Sequence, residues 1–143
     1  MPKTTTISEI MSRNVIYLNE DDNLTRIVEG MKRYNLRHLP VVSEGKLVGL
    51  ISHRDMLKLA TSSLVSNSAV GKAMQEELNE RTVVEKVMTK NPTAIHPETT
   101  VRDAAQIMLD NKFGCLPVVI EDMTLVGIVT EYDLLKFLVD SYS

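Results

Sequence analysis

"LVGLISHRD", residues 47–55, returns as "LVGIVTEYD", residues 125–133. Each phrase carries a glycine, two apolar residues, a hydroxyl residue, two variable residues and an aspartate: Gly49, Ser52 and Asp55, then Gly127, Thr130 and Asp133. A phrase written twice in 143 residues points to an internal duplication, the feature to settle before any other. Upstream, at an offset of 77, Met11 meets Met88, Asn14 meets Asn91, and Met31 meets Met108. At the same offset Leu39-Pro40-Val41-Val42 meets Leu116-Pro117-Val118-Val119. One extra residue in the second copy changes the offset to 78, which aligns Leu47-Val48-Gly49 with Leu125-Val126-Gly127 and Asp55 with Asp133. The copies span 7–60 and 84–138, joined by 61–83. Chance does not produce matches in this order with a single slip.

Both copies share one pattern of elements. A short extended stretch opens each, Val15–Leu18 and Thr93–Ile95. An amphipathic helix follows, with Leu24, Ile27, Val28 and Met31 on one face, and Val101, Ala104, Ala105, Met108 and Leu109 in the second copy. Thr100 and Asp103 have the spacing of a capping box. Two strands come next, LPVV then KLVGLIS, and LPVVI then LVGIVT, each pair forming a hairpin. Gly45 supplies a positive φ in the first turn. The apolar runs barely alternate, so both strand faces should be covered. A second helix ends each copy, through Met56–Ala60 and Leu134–Leu138. In the connector, 61–68 reads as a loop and 69–82 as a polar, exposed helix. The expected fold is α+β, two βαββα repeats related by a pseudo-twofold and packed through their sheets and helices. One copy alone is too small to bury its own sheet and helices well.

Composition narrows the function. An apolar share of 43%, a charged share of 24% and a net charge of −3 describe an ordinary globular chain and disfavour a nucleic-acid surface. The chain has no tryptophan and few other aromatics for base stacking. No apolar run has the length of a membrane span, and the first residues lack the core of a signal peptide. With Cys115 as the single cysteine, the expected location is cytoplasmic.

The repeated phrase has two readings. In the first, Ser52 to Asp55 and Thr130 to Asp133 are capping boxes opening helices, which requires no ligand. In the second, three features mark a binding site. A glycine inside a strand marks close approach by a ligand or another backbone. A strand running into a helix N-terminus presents free N–H groups to an anion. A short carboxylate in the first turn can accept hydrogen bonds from the paired hydroxyls of a ribose.

With both phrases, the LPVV strands and the element order in view, the sequence resembles a tandem pair of cystathionine-β-synthase (CBS) domains, a Bateman module. The resemblance covers both repeats. It implies a stand-alone regulatory module that binds AMP, ADP, ATP or S-adenosylmethionine in two clefts between the repeats and signals to an effector protein. It also implies a homodimer. Position by position, Asp55 and Asp133 align with the ribose-binding aspartate, and Ser52 and Thr130 with the phosphate-contacting hydroxyl. Arg37 and His38, and Gly114 and Cys115, precede LPVV and align with the base pocket. Ile16 and Tyr17, and Thr93 and Ala94, align with its apolar wall. Arg54 beside the first phrase attracts a phosphate chain, and Glu131 beside the second repels one. The Asp55 cleft is therefore expected to take more phosphates, with Mg²⁺ accompanying ATP, and the Asp133 cleft to prefer AMP or an uncharged tail.

No cofactor is required by this reading. His38, His53 and His96 lack a metal-ligand spacing. Cys115 reads as a small buried residue, and the eight methionines as core. Neither a Ser-His-Asp order nor a Walker loop occurs, so the chain is not expected to be an enzyme. The alternative is a structural or dimerisation module with empty clefts.

Overall fold

The computed structural model describes residues 4–56 and 81–142. The expected connector loop, most of the expected connector helix and the residues of the expected second helix after Met56 lie outside them. The described chain forms mixed α+β structure in two compact units, one built from residues 16–92 and the other from 1–15 with 93–143.

In the unit 16–92, four strands lie in sequence order: β1 (Leu18–Asn19), β2 (His38–Ser43), β3 (Lys46–Ser52) and β4 (Thr89–Lys90). β1 runs parallel to β2, with Leu18 opposite Val41, and β3 runs antiparallel to both β2 and β4. Between β1 and β2, helix α1 (Leu24–Tyr34) buries Leu24, Ile27 and Met31. Asn23 caps it by accepting the Arg26 N–H at 3.2 Å, satisfying a donor that the first turn leaves free. Asn35 ends it in the left-handed region, a conformation asparagine tolerates. Val28, expected on the buried face, is 43% exposed. The β2–β3 turn uses positive φ at both Glu44 and Gly45, matching the twist of a tight hairpin.

The other unit repeats this order. Helix α2 (Val101–Asn111) buries Val101, Ala104 and Met108. Leu109 is 73% exposed, so the apolar stripe is narrower than its periodicity suggests. The Thr100 cap is one-sided: its hydroxyl accepts the Asp103 N–H at 3.0 Å, while the Asp103 carboxylate meets Arg102 at 3.3 Å. β5 (Cys115–Val119) and β6 (Leu125–Thr130) form an antiparallel hairpin, and helix α3 (Glu131–Asp140) follows. This hairpin lacks glycine in its turn; Asp122 and Met123 adopt the positive φ values. The opening stretches are shorter than expected, two residues in β1 and a single parallel bridge from Ile95 to Val118. β2 and β5 are buried throughout except at the β2 ends, whereas β3 alternates and keeps one face half-buried.

The compact units and the sequence repeats do not coincide. The stretch that opens the first repeat, a 3₁₀ turn at Ile7–Glu9, packs in the unit of α2, β5 and β6. Ile7 and Met11 join the core of Ile95, Val101, Met108, Leu116, Val118 and Val129. Ser12 exchanges two hydrogen bonds with Ile128, at 2.9 and 3.0 Å. The corresponding turn of the second repeat, Val84–Lys86, buries Val84 among Leu18, Leu24, Ile27, Leu39, Val41 and Ile51. Its N–H donates to the Asp22 carbonyl at 2.7 Å. Each repeat thus hands its opening segment to the unit that carries the other repeat's hairpin.

Candidate functional site

Strand direction gathers the expected site residues at one end of each unit. β1 and β2 run parallel and β3 returns against β2 with Ser52 opposite His38. Ile16–Tyr17, Arg37–His38 and Ser52 therefore stand at the same sheet end. There the chain enters a helix at His53, whose N–H donates to the Arg37 carbonyl at 2.7 Å. In the other unit Ile95 runs parallel to Val118, and Thr130 stands opposite Cys115. Thr93–Ala94, Gly114–Cys115 and Thr130 share that end, and the Glu131 N–H donates to the Gly114 carbonyl at 3.2 Å. Helix α3 starts at that point.

The hydroxyl and carboxylate of each phrase close a capping box. The Ser52 N–H donates to Asp55 Oδ2, and the Asp55 N–H to Ser52 Oγ, both at 3.1 Å. The Thr130 N–H donates to Asp133 Oδ2 at 2.9 Å, and the Thr130 hydroxyl reaches the same oxygen at 3.3 Å. The ligand-free reading of the phrase is thus realised in its geometry. All four residues are half-buried, and Oδ1 of each aspartate takes no part in the cap.

Around these caps the two mouths differ. Tyr17 is 54% exposed, Ile16, Arg37 and Arg54 are exposed, and His38 is half-buried. The second mouth has exposed Thr93, Glu131 and Tyr132, and half-buried Ala94 and Gly114. Cys115 is buried, and desolvation pushes its thiol up to about 12. A thiol so far above neutrality is protonated and a poor nucleophile.

The glycines have an explanation other than a ligand. A Cβ on Gly127 would stand 2.6 Å from Met11 Sδ and 3.1 Å from the Ser12 carbonyl oxygen. A Cβ on Gly49 would collide with the sulfur of Met88, with Cγ 2.8 Å away. Methionines of the exchanged segments therefore occupy the space beside both glycines, and of the two expected neighbours, a ligand or another backbone, it is the backbone at Ser12 that stands close to Gly127. Composition hid this role, but the offset of 77 pairs Met11 with Met88 and was its available signal.

An open depression of about 480 Å³ lies elsewhere, lined by His96, Pro97, Glu98, Ile120 and Glu121. It sits beyond Val119, at the opposite end of β5 from Cys115, and His96 Nδ1 is 3.0 Å from the Val119 carbonyl oxygen. Among the described residues no three metal-ligating side chains converge, and no helix is long and apolar enough to cross a membrane.

The CBS domain family model matches residues 7–62 and again 84–140. The chain belongs to the CBS-domain family. Protein MJ1225 of Methanocaldococcus jannaschii is 35% identical over 131 residues, 92% of this chain and 46% of its own length. The crystal structure of MJ1225 superposes with a TM-score of 0.80 at 32% identity, over 96% of this chain and 49% of that one. This CBS pair thus spans about half of that relative. Arabidopsis thaliana CBSX2, solved in complex with AMP, has a TM-score of 0.80 at 25% identity and covers 97% of this chain and 99% of its own. The CBS pair of protein MJ0100, solved with 5′-methylthioadenosine and S-adenosylmethionine, has a TM-score of 0.76 at 26% identity, covering 96% and 98%. Tandem CBS architecture is shared along the whole length of the latter two.

Proposed function

We propose that this CBS pair is a regulatory module that binds adenosine-containing ligands at its two helix mouths and passes its state to a partner protein. The observation that carries this reading is the gathering, twice, of a hydroxyl, a first-turn carboxylate and the residues before LPVV at one sheet end. Solved relatives of the same architecture hold AMP, or methylthioadenosine and S-adenosylmethionine. Asp55 and Asp133 would grip the ribose hydroxyls through Oδ1, which the caps leave unused, and Ser52 and Thr130 would meet phosphate. Ile16, Tyr17, Arg37 and His38 would form the base wall in one mouth, and Thr93, Ala94 and Gly114 in the other. Buried Cys115 would contribute backbone and bulk.

The mouths divide by charge. Arg54 favours a phosphate chain near Asp55, with Mg²⁺ accompanying ATP, whereas Glu131 disfavours one near Asp133. A ligand moves a regulatory equilibrium only by binding its two states unequally, so the partner must read that difference. A homodimer in the cytoplasm completes the proposal.

Thermal-shift and calorimetric titration with AMP, ADP, ATP, NAD and S-adenosylmethionine tests it. A ligand of the native state raises Tm by an amount set by its concentration relative to Kd. We expect Asp55→Ala to remove ATP binding and Asp133→Ala to remove the AMP-preferring site. Loss of ATP binding in Asp133→Ala alone reverses the charge assignment. A second reading, a structural module with empty mouths, is favoured by the closed capping boxes. It predicts no shift with any of the five ligands.

A further inference from the structure

Among the described residues, β3 has β2 beside it from His38–Ser52 to Ser43–Lys46, but β4 only at Gly49 and Leu50. Ile51 and Ser52 therefore extend past the last rung of β4 toward the helix mouth. On the same side of β6, Ser12 meets Ile128 and Met11 covers Gly127. In both units the strand that presents the hydroxyl is held on that flank by one or two residues and one methionine. Each methionine crowds the place where a Cβ on the glycine would stand, three residues before the hydroxyl in both strands. Each is anchored by its own 3₁₀ turn: the Met88 N–H donates to Val84 at 3.0 Å and the Met11 N–H to Ile7 at 2.8 Å. Val84 and Ile7 are fully buried.

We propose that Met88 and Met11 are positioning residues for the helix mouths at Ser52 and Thr130. Each mouth then depends on a methionine supplied by the other sequence repeat: Met88 from the second repeat sets the Asp55 mouth, and Met11 from the first sets the Asp133 mouth. This deepens the ligand-binding reading and rests on it for its functional consequence, but its geometry is testable without any ligand. A thioether stacked on bare backbone fixes the strand face by dispersion contacts that a truncated side chain loses.

The experiment measures amide hydrogen exchange in the full chain for Met88→Ala, Met88→Leu, Met11→Ala and Met11→Leu. We expect Met88→Ala to speed exchange at Ser52 and Asp55 by about tenfold or more, while Val42 and Leu47 at the far end of the same strands change much less. Thr130 and Asp133 should be unaffected, and Met88→Leu should restore most of the protection. Met11→Ala should give the mirror pattern at Thr130 and Asp133. Uniform acceleration across the affected unit means a merely structural methionine and overturns the proposal, as does equal response of both mouths to one substitution. An ATP titration in the Asp133→Ala background adds the functional arm: Met88→Ala should weaken binding at the remaining mouth several-fold and Met11→Ala should not. If no variant, wild type included, binds ATP, the assignment of a phosphate chain to the Asp55 mouth fails and the exchange result still decides the positioning role. Unchanged ATP affinity in Met88→Ala, where wild type binds, overturns it.

Discussion

At the residue scale, the two strand glycines carry most of the information. Each sits where a methyl group would meet a methionine of an exchanged segment. Gly127 is the more constrained, because the Ser12 carbonyl oxygen, which accepts the Ile128 N–H at 3.0 Å, cannot swing aside as a thioether can. Gly127→Ala should therefore destabilise the protein by about 1–3 kcal/mol, the usual cost of overpacking. In a Met11→Ala background the same change should cost less, since the thioether is gone and only the carbonyl remains close. Denaturant unfolding of the four proteins of this cycle measures the coupling, and strict additivity would show that glycine and methionine do not compete for the same space.

At the element scale, the capping boxes have a stability role whether or not a ligand binds. The first residues of a helix leave N–H groups unpaired, and Thr130 and Asp133 satisfy the start of α3 from both directions. Thr130→Ala should lower stability by about 1 kcal/mol without any nucleotide, measured by urea unfolding. The ligand titrations therefore need the unliganded stability of each variant as their baseline. Helix α3 has an apolar outer side as well, with Tyr132, Leu135, Leu138 and Val139 each more than half exposed. Its inner side places Leu134 and Phe137 against the core. The run of Leu134 to Leu138 announced a helix, but only packing separated its two sides.

At the scale of the whole molecule, exchange of the opening segments links the two halves of the sequence. Ile7 is fully buried in the core that holds Val101, Leu116 and Val129, although it belongs to the first repeat. Ile7→Ala should cost about 2–5 kcal/mol and loosen that core, accelerating hydrogen exchange at Leu116–Val119 while sparing Leu39–Val42. Val84→Ala should show the converse. A response confined to each residue's own sequence repeat would contradict the exchange.

The duplicated phrase, the hairpins and the amphipathic helices were legible in the residues, because periodicity, turn chemistry and capping are local. The CBS resemblance rested on those local patterns, and the set of residues expected near each mouth rested on the resemblance. Where each opening segment packs was not legible, since a buried Ile7 reads the same whichever sheet covers it. The glycines show the same division: their presence in a strand required a close neighbour, but only the tertiary structure made that neighbour a methionine from the other repeat. Exposure of Val28 and Leu109 was decided there too, because an apolar stripe becomes a core face only as far as its neighbours extend. Local chemistry determined the elements and the aspartate mouths; long-range contact, which no single segment encodes, decided which parts of the chain hold them in place.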